Sequence, residues 1–197
     1  CLIGPPVNGG LRSTATTELR AKVMASEFDL IRLISEQARN DELSIPVGIG
    51  DDAAVLVPKP DHELVITMDT LNQDVHFFSD VDPGDLGYKS LAVNLSDLAA
   101  MGASPQWVLL SLSMPGGDEV WLQRFMEGFS SLADDFGVSL VGGDTCSGPL
   151  SVTVSALGQV PTSQRLLRST ACPGDLIVVS GELGDAAYAL EMIRQGR

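Results

Sequence analysis

Positive charge is scarce in this chain. Twelve Lys and Arg stand against 26 Asp and Glu, for a formal net charge of −14. Such a surface repels phosphate backbones and anionic headgroups, so neither nucleic acid nor a membrane is expected as a partner. The lysines are Lys22, Lys59 and Lys89 alone. No Walker A lysine loop and no GxGxxG fingerprint is present. A polyphosphate held here would be met by metal ions, backbone amides and arginine. Cysteine is equally sparse: Cys1, Cys146 and Cys172 show no paired spacing. That excludes a disulfide framework and suits a reduced, cytoplasmic protein. No apolar run reaches the roughly 20 residues of a membrane span. Internal repeats and low-complexity runs are lacking as well.

What the chain has is carboxylates at apolar edges. The central stretch is Val47-Gly48-Ile49-Gly50-Asp51-Asp52-Ala53-Ala54-Val55. Two adjacent carboxylates repel unless something positive lies between them. Three further segments repeat the theme: Ile66-Thr67-Met68-Asp69-Thr70, Asn94-Leu95-Ser96-Asp97-Leu98 and Gly142-Gly143-Asp144-Thr145. No His/Cys cluster accompanies them, and oxygen-only ligands suit Mg²⁺ or Ca²⁺ rather than zinc. Any one of the glycine-acid pairs alone is more simply a turn. The four together point to a magnesium-dependent phosphate-handling site built from separate strands.

In chain order, residues 1–23 show neither periodicity nor an apolar signal core. They are expected to be a disordered leader or sequence outside the natural start, with Met24 as initiator; an ordinary N-terminal arm is the alternative. A first domain is expected over 24–162. Residues 163–197 should begin a second one, cut short at Arg197, with the boundary inside 161–173. Ser26-Glu27-Phe28-Asp29 resembles a helix cap, and Phe28, Ile31, Ile34 and Ala38 follow at helical spacing. Strands are expected at 54–57, 64–69, 106–114, 138–141, 150–160 and 176–180. In the second of these, Leu64, Ile66 and Met68 are placed in the core, with Thr67 and Asp69 on the site face. Asp82-Pro83 should start a helix that runs to about Met101 and closes at Gly102. Asp97 lies in its middle, as a metal ligand or as a hydrogen-bonded buried acid. A second helix is expected over 118–136, with Leu122, Phe125, Met126, Phe129, Leu132, Ala133 and Phe136 inward, and a last one over 185–195. His76 falls in the loop 71–78, as a substrate contact or a solvated side chain. Arg165 and Arg168 follow in another loop, for phosphate or for solvent.

These segments resemble bacterial thiamine-monophosphate kinase, in the superfamily of aminoimidazole ribonucleotide synthetase and selenophosphate synthetase. The residues that carry the resemblance are the 48–54 stretch, Asp69-Thr70-Leu71 with Val75-His76-Phe77, the run from Ala92 to Ala103, and Gly142-Gly143-Asp144-Thr145. The His-Phe pair points to the thiamine enzyme, and the reactive Cys of the selenophosphate enzyme has no match. The resemblance implies an α+β fold: an N-terminal mixed sheet packed with helices, as in AIR synthase, pairing in a homodimer, followed by a truncated second α/β domain. It implies transfer of the ATP γ-phosphoryl group to thiamine monophosphate. It further implies Mg²⁺ on Asp52, Thr67, Asp69, Asp97 and Asp144, ATP on Gly143, Asp144 and Arg168, and substrate on His76. Two departures are present. Met68 stands where the family has Thr, which removes a side-chain ligand. Asn72-Gln73-Asp74 replaces a more apolar, glycine-containing loop. No catalytic base is assigned, because a phosphate oxygen nucleophile is already ionised at neutral pH. The rival readings are another ATP-dependent synthetase of the superfamily and a non-catalytic dimerisation or binding fragment.

Overall fold

The structure, a computed structural model, describes residues 32–35, 43–116, 118–179 and 181–196. The expected leader, the cap at 26–29 and most of the helix at 28–38 lie outside these; residues 32–35 are helical. The elements run β1 (His62–Asn72), α1 (Pro83–Ala100), β2 (Ser104–Met114), α2 (Glu119–Phe136), β3 (Ser139–Ser147), β4 (Ser151–Pro161), a one-turn 3₁₀ helix (Arg168–Thr170) and α3 (Asp185–Arg194). The strands form one mixed sheet in the order β1-β4-β2-β3. β4 is antiparallel to both β1 and β2, while β2 and β3 are parallel and joined through α2.

Both long helices start and stop where their sequences dictate. The Asp82 side chain caps α1 by accepting from the Gly84 and Asp85 amides, with proline in the first turn. Partial burial raises the Asp82 pKa. The Gly84 amide, the Arg124 guanidinium and the Asp85 amide outweigh it, so the carboxyl lies below its ordinary 3.8. Arg124 of α2 is 3.0 Å from this carboxylate and ties the two helices together. A carboxyl held low stabilises the fold above its unfolded-state pKa and ceases to do so as pH falls through the folded value. Asp82→Ala is therefore expected to lower the denaturation midpoint more at neutral pH than in strong acid, where only the neutral cap is lost, as melting curves at the two pH values would register. Gly137, with φ of 64°, ends α2 in the left-handed cap that glycine favours.

The helices pack on one face of the sheet. Leu86, Leu91 and Leu98 of α1 and Leu122, Phe125 and Phe129 of α2 join the inward side chains of all four strands in the main core. Phe136, expected inward, is 57% exposed. It is the last residue of α2, directly before the Gly137 cap. α1 and α2 approach so closely that a methyl group on Gly87 would lie 2.0 Å from the Phe125 carbonyl oxygen, and one on Gly128 would lie 1.9 Å from that of Gly84. Gly87→Ala or Gly128→Ala must push the helices apart. Overpacking of this kind costs about 1–3 kcal/mol, measurable by denaturant titration.

The other face of the sheet is largely open. Alternation along β1 is as expected, but its faces are exchanged. Val65, Thr67, Asp69 and Leu71 turn toward the helices, whereas Ile66 and Met68 are each 64% exposed. Side-chain apolarity marks a face to be covered; it does not say whether this chain's own helices cover it. Truncating Met68 to Ala in an isolated chain is accordingly expected to change stability by no more than about 0.5 kcal/mol, not by the cost of a core cavity. A small second cluster, Ile45, Trp107 and Val141 with Leu56 and Leu157, covers one end of this open face.

Two expected strands are not formed. Residues 54–57 make only a bridge between Val55 and Val47 and a hydrogen bond from the Val57 amide to the Ser44 carbonyl. Residues 176–179 have no regular structure, and Ile177 is 98% exposed. A strand needs a neighbour to take its amides, and the described chain beyond β4 offers none. The opposite correction applies to Gly142-Gly143-Asp144-Thr145: it is not a turn after a short strand but the middle of β3.

Candidate functional site

The sheet divides the expected acids into two groups. On the helix side, Thr67 of β1 donates its hydroxyl proton to the Asp97 carboxylate of α1 at 2.8 Å. Asp69 is two residues further along the same face of β1, half-buried. Asp97 itself is exposed, contrary to the expectation of a buried charge. It lies on one stripe with Ser90 and Asn94, but those two are fully enclosed and it emerges at the end. Ser90 and Asn94 return hydrogen bonds to their own helix, at Gly87 and Ser90 carbonyls.

On the open side is a cavity of about 880 Å³. The 48–54 stretch, bringing Asp51 and Asp52, forms one wall; Asp144 of β3 forms another; Met68, Ser111 and Thr153 contribute to the floor. Ser111 and Asp144 are paired in register, as are Ser111 and Thr153. Neither Ser111 nor Thr153 was singled out in the sequence; only knowledge of strand order would have placed them beside Asp144. β3 is an edge strand, so its outer backbone groups have no strand partner among the described residues. Gly143 is required there by close approach, since a methyl group would lie 1.8 Å from the Leu110 carbonyl oxygen.

The remaining residues lie apart from these groups. His76 is exposed in the loop after β1, and its Nδ1 accepts from the Asn72 amide at 3.0 Å. Lys89 of α1 donates to the His76 carbonyl at 2.6 Å. Arg165 is taken up by a two-pronged ion pair with Glu63, at 2.9 and 2.8 Å. Arg168 is exposed on the 3₁₀ helix, without an ion pair to any described residue.

Among the described residues, no three His, Cys, Asp or Glu side chains converge as a metal-ligand set. The donors are nevertheless of the kind Mg²⁺ takes. Mg²⁺ is commonly held by one or two carboxylates plus waters and substrate phosphates, not by an all-protein cage. The oriented Thr67–Asp97 pair, with Asp69 on the same face, and Asp52 and Asp144 across the sheet both fit that mode.

This fold and this distribution of acids have known counterparts. The model of the AIR synthase related protein, N-terminal domain, matches residues 50–160, and the chain belongs to that family. Within it, the chain is similar to thiamine-monophosphate kinases. It is 46% identical to that of Escherichia coli K12 over 168 residues, which is 85% of this chain and 52% of the relative. The crystal structure of thiamine-monophosphate kinase from Stenotrophomonas maltophilia K279a superposes with a TM-score of 0.76 at 51% identity, covering 85% of this chain and 52% of that one. AaThiL complexed with AMPPCP and TMP superposes with a TM-score of 0.66 at 34% identity, covering 87% and 53%. The chain thus spans about half the length of the relatives it matches. No described helix is long and apolar enough to cross a membrane.

Proposed function

We propose that this chain is the nucleotide- and metal-binding half of an enzyme that transfers the γ-phosphoryl group of ATP to thiamine monophosphate, giving thiamine diphosphate and ADP in the cytoplasm. The observation that carries this reading is the 46% identity to the Escherichia coli thiamine-monophosphate kinase across 85% of the chain. The Asp52, Asp69, Asp97, Asp144 and His76 positions all fall on segments of the resemblance, and Thr67 lies two residues before one of them.

The chemistry asks for little beyond what these residues supply. The attacking phosphate oxygen of the substrate is already ionised, so no side chain need remove a proton. Asp52, Thr67, Asp69, Asp97 and Asp144 would hold Mg²⁺, which when bound neutralises charge on the transferring phosphoryl group. Gly143 and the Asp144 backbone approach the nucleotide phosphates from the β3 edge, and Arg168 is free to fork onto them. His76 meets the thiamine substrate. What the protein contributes is alignment, and holding donor and acceptor in line accounts for much of the barrier reduction in such transfers.

The open face of the sheet supports a homodimer. Leu64, Ile66, Met68 and Leu109 leave an apolar patch that one copy does not cover, and such patches mark interfaces. A second reading has one observation in its favour. Hydrogenase maturation protein HypE in complex with ATP superposes with a TM-score of 0.69 at 26% identity. That likeness bears on nucleotide handling and leaves the acceptor to be decided. Calorimetric titration of the chain with ATP and Mg²⁺, with and without thiamine monophosphate, separates the readings. Coupled binding of thiamine monophosphate supports the kinase; coupling to an aminoimidazole precursor instead would assign the chain to another branch.

A further inference from the structure

The loop after β1 fixes more than the place of His76. The donor facing Nδ1 is a main-chain N–H, that of Asn72 at 3.0 Å, so Nδ1 must present a lone pair. A neutral imidazole carries one proton, which therefore resides on Nε2. The other histidine has the opposite arrangement: His62 Nδ1 lies 2.8 Å from the Pro60 carbonyl oxygen, which can only accept. Around His76 the backbone is closed on itself. Its amide donates to the Asn72 carbonyl at 2.9 Å, and the Asp74 amide donates to the Phe77 carbonyl at 2.8 Å. Asp74 adopts φ of 62°, a left-handed conformation that Asp tolerates better than most side chains. Phe77 anchors the loop in the main core. Lys89 then pins the His76 carbonyl to α1. The ring stays exposed, and among the described residues nothing accepts from Nε2.

We propose that Asn72 and Lys89 are positioning residues, the Asn72 amide setting His76 as a neutral, single-donor Nε2–H group and Lys89 fixing its backbone on α1, so that the ring meets an acceptor atom of the substrate. Resting on the kinase reading, that acceptor is a phosphate oxygen or a ring nitrogen of thiamine monophosphate. The Asn72-Gln73-Asp74 sequence thus builds the loop that sets the tautomer, although it departs from the family's usual residues.

Ring ¹⁵N spectra of the chain at neutral pH test this, with His62 as internal control and His62→Gln to assign it. The expected result is a protonated Nε2 and bare Nδ1 for His76, with the reverse for His62. His76→Asn, whose side-chain oxygen can stand in for Nδ1, should keep the Asn72 amide protected from exchange. His76→Gln should expose that amide, with exchange at least ~10-fold faster. Lys89→Met should speed exchange in the loop and preserve the tautomer. Added thiamine monophosphate should shift the His76 Nε2 resonance. Inorganic phosphate reproducing the shift assigns the acceptor to phosphate; thiamine reproducing it assigns the acceptor to the organic ring. A proton on His76 Nδ1 overturns the inference whatever the ligand does. The expected tautomer with an Nε2 resonance that thiamine monophosphate does not move overturns the substrate assignment instead.

Discussion

Asp97→Asn is expected to abolish Mg²⁺-dependent nucleotide binding while leaving the fold intact. Asp97 is exposed and is oriented by the Thr67 hydroxyl. The substitution keeps shape and removes the charge that a hard cation needs. No buried charge is relieved, so the melting temperature of the metal-free chain should hardly move. Thr67→Val supplies the graded counterpart. It leaves the carboxylate and deletes its 2.8 Å partner, and loss of such an orienting hydrogen bond typically costs about 10–100-fold in metal affinity. Titration of a nucleotide at several Mg²⁺ concentrations should rank wild type, Thr67→Val and Asp97→Asn in descending affinity. Unchanged Mg²⁺ dependence in Asp97→Asn would remove that residue from the site.

Ile66→Asp should dissociate the proposed homodimer without unfolding either copy. Ile66 is 64% exposed in one chain and sits between Leu64 and Met68 on the open sheet face. In the monomer the new carboxylate stays in water and costs little. In the dimer it would be buried without a partner, which is expensive. A central contact of this kind is worth about 2 kcal/mol or more, roughly a 30-fold or larger rise in the dimer Kd. Sedimentation velocity across a concentration series should show the shift, with an unchanged circular dichroism spectrum. A variant that remains dimeric to the same dilution would mean that the copies meet elsewhere.

The fold is legible in the sequence where the determinant is itself local. The Asp82-Pro83 start of α1, the Gly137 stop of α2 and the inward row from Leu122 to Ala133 each depend on residues within a few positions, and each is present. What was misread depends on partners far away in the chain. The alternation of β1 was visible, yet the side the helices would take was not, and Met68 went to the wrong face. Residues 176–179 have strand composition but no described neighbour to bond. For the site, the alternation of β1 puts Thr67 and Asp69 on one face, but the Thr67–Asp97 contact is visible only in the structure. So is the partition of the acids by the sheet, because it requires the strand order β1-β4-β2-β3. The Asn72–His76 bond lay within five residues and was missed, since the replacement loop offered no glycine to mark its turn. Asp74 takes that conformation instead.

In the proposed function these acids serve phosphoryl transfer to thiamine monophosphate. Beyond β4, Leu176, Ile177, Val178 and Leu183 are all more than four-fifths exposed. A single helix and an unpaired segment cannot bury such residues; a layered domain can. The deciding measurement compares thiamine diphosphate and ADP formation by residues 1–197 alone and by the same chain joined to the second half of its Escherichia coli relative, each with ATP, Mg²⁺ and thiamine monophosphate. No product is expected from residues 1–197, and one thiamine diphosphate per ADP is expected from the joined chain, lost again with Asp97→Asn. Substantial turnover by residues 1–197 would show that the site is complete without a facing domain. ADP release by a folded, joined chain without thiamine diphosphate would contradict the kinase itself.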